Sequence, residues 1–154
     1  MTHYQAIIHS PLGYLGIRTT EDHLLGIDFL PASVSIKQAV HDFSQQVVAQ
    51  LQQYFQNPHS HFTIPYQIQG SDFQRKVWAA LNQIPVGTAL YYSALAQQLH
   101  TGARAIGGAC RSNPLPIISP CHRIIGRYGL GGYAGTTQQI QPKLWLLKHE
   151  GFLS

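Results

Sequence analysis

The chain has 154 residues, 44% of them hydrophobic and 10% charged, and carries a formal net charge of +4. That length fits one compact domain, or a small subdomain joined to a larger one, with enough apolar residues for a core. Two cysteines are too few for a disulfide framework, and no apolar run approaches the ~20 residues of a membrane span. The opening MTHYQAIIHS alternates like a strand and has no basic region ahead of an apolar core, so a reducing, cytoplasmic setting is expected. Charge is divided unevenly. Residues 1–70 hold Arg18 and Lys37 against Glu21, Asp22, Asp28 and Asp42, whereas residues 71–154 hold eight basic residues against Asp72 and Glu150. A basic second half points to a polyanionic partner, and nucleic acid is the usual one.

In chain order, residues 3–9 read as a strand, Ser10-Pro11-Leu12-Gly13 as a turn and Tyr14–Thr19 as the returning strand. His23–Leu30 makes a third strand, with Leu25, Ile27 and Phe29 on one face. A helix follows from about Ile36 to Gln56, where Val40, Phe43, Val47, Leu51, Tyr54 and Phe55 recur at three- and four-residue steps. Asn57-Pro58 stops it, and the polar segment from His59 to Gly70 reads as a linker. The pattern is α/β of the α+β kind: an antiparallel sheet with a helix over 1–68, then a mainly helical domain over 69–154.

That second domain opens on Ser71-Asp72-Phe73-Gln74, a capping-box pattern, and its helix runs to about Gln83. An extended piece over Ala89–Tyr92 leads to a helix capped by Ser93, an interruption at Thr101-Gly102 and a second helix over Ala103–Ser112. Two short helices around a glycine-bearing turn have a helix-turn-helix outline. Gly107 and Gly108 each cost ~1 kcal/mol relative to alanine within the second helix, a cost that a close approach by a backbone or ligand would explain. A glycine-rich loop over Tyr128–Gly135 and a last helix from about Gln141 to His149 complete the chain.

The chemistry concentrates in Asn113–Arg127, NPLPIISPCHRIIGR. Pro114 and Pro116 keep the entry extended, and Ile117-Ile118 reads as a short buried strand. Ser119 is the expected N-cap of a short helix with Pro120 at its first position. Cys121 would then face unpaired N–H groups, with Arg123 and His122 alongside, surroundings that lower a thiol pKa from ~8.5 towards neutrality. Cys121 and His122 are adjacent in the chain, so a water between them is needed for proton exchange, with Glu150 as the acid that could orient the imidazole. Cys110 reads as core. His59 and His61 lie in a polar segment, and no zinc spacing is present, so no metal is expected. Arg104, Arg111, Arg123 and Arg127, with Tyr91 and Tyr92 before the helix pair, suit contacts to a nucleic-acid backbone. From these residues alone, a cysteine hydrolase and a non-catalytic DNA-binding module both stay open.

The segments PCHRIIG, preceded by RSNPLPIIS, resemble the active-site signature of the O6-alkylguanine-DNA alkyltransferases, the methylated-DNA–protein-cysteine methyltransferases. FQRKVWAAL, IPVGTALYYSALA, ARAIGGACRSNP, GYAG and WLLKHEG follow that family's order, and the SPLG turn agrees. The resemblance implies direct-reversal repair: an alkyl group passes from O6-alkylguanine (or O4-alkylthymine) in double-stranded DNA to the protein, irreversibly, with no cofactor, by a monomer. It implies that Cys121 is the acceptor, His122 its base through a water, Glu150 the group orienting His122, and Asn113 a brace for the turn. Tyr92 would turn the target phosphate and protonate the departing guanine. Arg104 would replace the flipped base from a helix in the minor groove, with Ala103, Gly107, Arg111 and Arg123 as further DNA contacts. Cys121 and Ile124, with Tyr133, Ala134 and Gly135, would line the guanine pocket. Thr136, Ser119 and Ala134 depart from the family's usual glycine, apolar residue and occasional serine, which implies a tuned substrate range.

Overall fold

The computed structural model describes residues 3–127, 129–130 and 140–154, and the chain divides into two units, Met1–Gln69 and Gly70–Ser154. The fold is mixed α/β. In the first unit, β1 (Ala6–Ser10), β2 (Gly13–Thr19) and β3 (Leu24–Leu30) form an antiparallel sheet in sequence order. The β1–β2 turn closes because the Ser10 hydroxyl donates to Gly13 O at 2.8 Å and accepts from Leu12 N at 3.1 Å. Gly13 takes a φ of 96°, open to glycine without penalty.

Helix α1 (Asp42–Gln56) lays Val47, Leu51 and Tyr54 inward, each almost fully buried. It begins six residues later than the periodicity predicts. Val40 is 73% exposed and Ile36 60%, because Lys37 instead pairs with Ile7 through two backbone hydrogen bonds and continues the sheet beyond β1. The expected linker is also more ordered than its polarity implies. Leu24 N donates to Pro65 O and Gln67 N to Leu24 O, so this stretch runs alongside β3, and Ile64 is buried.

The second unit starts with α2 (Asp72–Leu81), whose capping box is complete: Gln74 N donates to Ser71 Oγ and Ser71 N to Gln74 Oε1. Val77, Trp78 and Leu81 are buried, and Trp78 Nε1 donates to Ala109 O at 2.8 Å, tying α2 to α4 (Ala103–Arg111). Before α4 come β4 (Leu90–Tyr91) and α3 (Tyr92–Gln98). Helix α3 starts at Tyr92, ahead of Ser93, so Ser93 is no cap; Tyr91 holds that position without a side-chain bond.

The turn between α3 and α4 is a Schellman closure. Thr101 N donates to Ala96 O and His100 N to Gln97 O, with His100 at a φ of 55° where glycine is usual. Gly102 has a φ of −101° and serves as the N-cap of α4. After α4 come a 3-10 turn (Cys121–Arg123), β5 (Ile124–Ile125) and α5 (Ile140–His149). Strands β4 and β5 are parallel, with Leu90 opposite Ile124 and Tyr91 opposite Ile125. No helix among the described residues is long and apolar enough to cross a membrane.

Candidate active site

Asn113 organises the passage from α4 to the thiol. Its side-chain amide donates to Ser119 O at 2.8 Å and its Oδ1 accepts from Leu115 N at 3.0 Å, so one side chain closes the turn from both ends. Ser119 N donates to Leu115 O across the same turn. The expected strand over Ile117–Ile118 is therefore a turn, since Pro114 and Pro116 have no N–H to give a ladder. Ile117 sits at a φ of 79°, where a β-branched residue is strained by ~1–2 kcal/mol; its 98% burial and the Asn113 clasp hold it there.

Pro120, at φ −80° and ψ 69°, has inverse γ-turn geometry, and Cys121 N donates across it to Ser119 O at 2.8 Å. Arg123 N then closes the 3-10 turn on Pro120 O at 3.0 Å. A short helical turn is present as expected, but it is 3-10 and its N-cap is Pro120 in place of the expected Ser119. Ser119 contributes its carbonyl and not its hydroxyl, which is buried without a hydrogen-bond partner among the described residues.

The same geometry corrects the expected acidity of the thiol. Burial pushes Cys121 up to about 11, and the Asn113 hydrogen bond and the Lys143 charge offset only part of that. Three residues of 3-10 turn align too few peptide dipoles to win against burial. Cys110, also buried, is pushed up to about 12 by burial first and by the neighbouring Cys121 charge second, as suits a core thiol.

Behind the thiol lies a buried ionic cluster. Glu150 is the C-cap residue of α5, whose Schellman closure runs through Phe152 N on Leu147 O and Gly151 N on Lys148 O, with Gly151 at a φ of 89°. A carboxylate there opposes the helix dipole. Two partners explain it: His122 Nε2 lies 2.8 Å from Oε2, and Arg123 donates to both carboxylate oxygens. With Nε2–H donating to the carboxylate, His122 carries its lone pair on Nδ1. Burial pulls the His122 pKa down from 6.5, the Glu150 bond and charge pull it up, and burial wins with help from the Arg123 and Lys143 charges; the imidazole is neutral.

Arg123 is only 8% exposed, and its third bond goes to Ile84 O at 2.6 Å. The expected DNA contact by Arg123 is therefore corrected: its guanidinium is spent inside the protein, bracing Glu150 against the turn after α2. Gly87 in that turn has a φ of 84°, and a Cβ there would lie 3.1 Å from Glu150 O.

The β4–β5 pairing joins the strand after the thiol to the strand that leads directly into Tyr92. Burial, followed by the Cys110 and Cys121 charges, raises the Tyr92 hydroxyl to about 12. On the helix pair, Ala103, Arg104 and Arg111 are exposed, and beyond the helix's own backbone nothing among the described residues lies within 4 Å of a Cβ built on Gly107 or Gly108. Among the described residues, no internal packing calls for those glycines. Ile124 is fully buried, whereas Tyr133, Ala134 and Gly135 lie outside the described residues. No group of three or more His, Cys, Asp or Glu able to hold a metal occurs among the described residues.

One residue escapes the sequence reading. Lys143 is 0% exposed, and its Nζ donates to Ile124 O and lies 5.6 Å from the centroid of the Tyr92 ring. The signal was available: Lys143, Leu146, Leu147 and Glu150 follow i, i+3, i+4, i+7 spacing, one buried face of a helix.

Residues 72–152 match the family described as 6-O-methylguanine DNA methyltransferase, DNA binding domain, and residues 3–68 match its ribonuclease-like domain. A methylated-DNA–protein-cysteine methyltransferase of Shigella flexneri is 50% identical over 59% of this chain, and the match spans 53%, about half, of that relative's length. The constitutive enzyme of that name from Bacillus subtilis is 34% identical over 92% of both chains. Mycobacterium tuberculosis OGT, solved in complex with DNA, superposes with a TM-score of 0.79 at 36% identity, covering 94% of this chain and 91% of that one. With both domains matched in order and a relative aligned along nearly its whole length, the chain belongs to the 6-O-methylguanine DNA methyltransferase family.

Proposed function

We propose that this protein repairs DNA by direct reversal, taking the alkyl group from O6 of a guanine in double-stranded DNA onto its own Cys121. The observation that carries the reading is the buried Cys121 thiol, held in a turn clasped by Asn113 and backed by the His122–Glu150 pair. The family assignment supports it, as do relatives named for the same transfer.

The step balances without a cofactor. Cys121 gives its proton to the Nδ1 side of His122 through a water, and Glu150 holds the imidazole in the tautomer that accepts it. The sulfur pair attacks the alkyl carbon, an S–C bond forms, and the C–O6 bond breaks with its electrons staying on the base. Guanine takes up a proton from the Tyr92 hydroxyl, which His122 replenishes, so the thiol proton ends on the base. Burial holds the thiol neutral, so the proton must leave the sulfur as part of the reaction. The backbone around Cys121 and Ile124 is the described part of the site that the base would meet.

The base must leave the duplex, at a cost of a few kcal/mol. Arg104, at the exposed start of α4, fills the space left behind, while Ala103, Gly107 and Arg111 let the helix approach the backbone. The product is a thioether, with no carbonyl for water to attack. Each molecule therefore acts once.

Limiting protein mixed with excess DNA containing O6-methylguanine tests the reading. Repair should stop at one lesion per protein molecule, with one methyl group mapped to the Cys121 peptide. Repair that continues past that point, or a methyl group found elsewhere, sinks the assignment.

A further inference from the structure

Lysine is almost never fully buried without a reason, because an ammonium taken from water costs several kcal/mol. Lys143 sits at 0% exposure between Ile124 O and the face of Tyr92, on the helix face it shares with Leu146, Leu147 and Glu150. A methionine would fill a similar volume without that cost, so packing does not account for the charge.

We propose that Lys143 is a positioning residue for the acceptor: its buried ammonium is the counter-charge against which the Cys121 sulfur gives up its proton, and its bond to Ile124 O fixes the strand that follows the thiol. This rests on the alkyl-transfer reading and adds a residue to it.

The groups around Lys143 favour such a role. Tyr92 of α3 lies against its ammonium, the charges of Cys110 on α4 and Cys121 in the 3-10 turn act on it, and its own charge acts on His122, as do those of Arg123 and Glu150. Glu150 is engaged by His122 and Arg123. Lys143 is the cation whose charge lowers the Cys121 thiol, and the same charge disfavours protonated His122. One ammonium thus favours both the anionic sulfur and the neutral imidazole that takes its proton. Burial lowers Lys143 itself to about 8, so it is mainly protonated at neutral pH. Over the reaction it neither gains nor loses a proton.

The test reads thiolate formation directly. Iodoacetamide alkylates a thiolate with loss of iodide, and peptide mapping by mass spectrometry separates Cys121 from Cys110. Rates across pH 6 to 10.5 (roughly, the range spanning both groups) are compared for the wild type, Lys143→Met and Lys143→Arg. The expected result is a profile for Lys143→Met displaced upward, with labelling about tenfold slower at a given pH, the equivalent of one pKa unit. Lys143→Arg, which keeps the charge, should recover most of the rate. The wild-type profile should also flatten near pH 8, where Lys143 loses its proton, before rising again. Superimposed profiles for wild type and a folded Lys143→Met overturn the proposal. Should the variants fail to fold, as judged by circular dichroism, the wild-type profile decides: a single uninterrupted slope overturns it. Methyl transfer from O6-methylguanine DNA is measured in parallel. A shifted labelling profile with no methyl transfer by the wild type supports Lys143 as counter-charge and sinks the alkyl-transfer reading instead.

Discussion

Arg123 holds Glu150 by both oxygens, Nε donating to Oε1 at 2.8 Å and Nη2 to Oε2 at 2.9 Å. Both side chains are inside the protein, so the pair is governed by desolvation and not by salt screening. Arg123→Ala strands a buried carboxylate and should cost about 3–5 kcal/mol in urea unfolding. Adding Glu150→Gln to that variant should recover part of the loss, since no charge is then orphaned. A lysine at 123 cannot make the two parallel bonds and should fall between. An Arg123→Ala protein as stable as wild type would show that Glu150 has another adequate countercharge.

Stability should also fall on the acid side through His122. Its folded pKa lies below the ordinary 6.5, so as pH drops past that value the unfolded chain takes a proton first. The contribution is complete above pH 6.5 and is lost as pH falls towards the folded value. In His122→Gln this loss should be absent, while an amide N–H remains to meet Glu150. Thermal melts of both proteins between pH 4 and 8 (about the range in which histidine titrates) check it; parallel curves would assign the acid sensitivity elsewhere.

Gly107 separates a folding cost from a binding one. Among the described residues nothing beyond the helix's own backbone lies within 4 Å of a Cβ placed there, so Gly107→Ala should raise stability by about 1 kcal/mol through helix propensity. If α4 lies against DNA, the same methyl group should weaken binding to a lesion-bearing duplex. Denaturant midpoints and a fluorescence-anisotropy titration give the two readouts. Greater stability with undiminished DNA binding would remove Gly107 from the interface.

The sheet, the capping box at Ser71 and Gln74, and the α3–α4 pair were legible because each is written in local spacing. Val40 misled because its periodicity continues that of α1, whereas backbone pairing of Lys37 with Ile7 holds the preceding chain extended. In the site, local chemistry named Glu150 as a candidate to orient His122 without deciding it, and the role of Asn113 came only from likeness to a family. The thiol acidity was misjudged because a sequence displays neighbouring charges but not burial, and at Cys121 burial is the larger effect. Arg123 was taken for a surface residue for the same reason. Lys143 was hidden by its own polarity, although its helical spacing with Leu146 and Glu150 marked it.

Glu150 has a kinetic consequence as well. Its bonds reach back 28 residues to His122 and 27 to Arg123, and Arg123 reaches a further 39 to Ile84. Such contacts close long loops, and their entropy must be met before the hydrogen bonds repay it. The helix pair and the Asn113 clasp are local and can form early in synthesis or refolding. The ionic cluster forms only when the chain has been made as far as residue 150, and until then Cys121 lacks the packing that keeps its thiol out of water. A newly made chain thus passes through an interval in which the acceptor is more open to oxidants and electrophiles than in the folded protein, where it is buried.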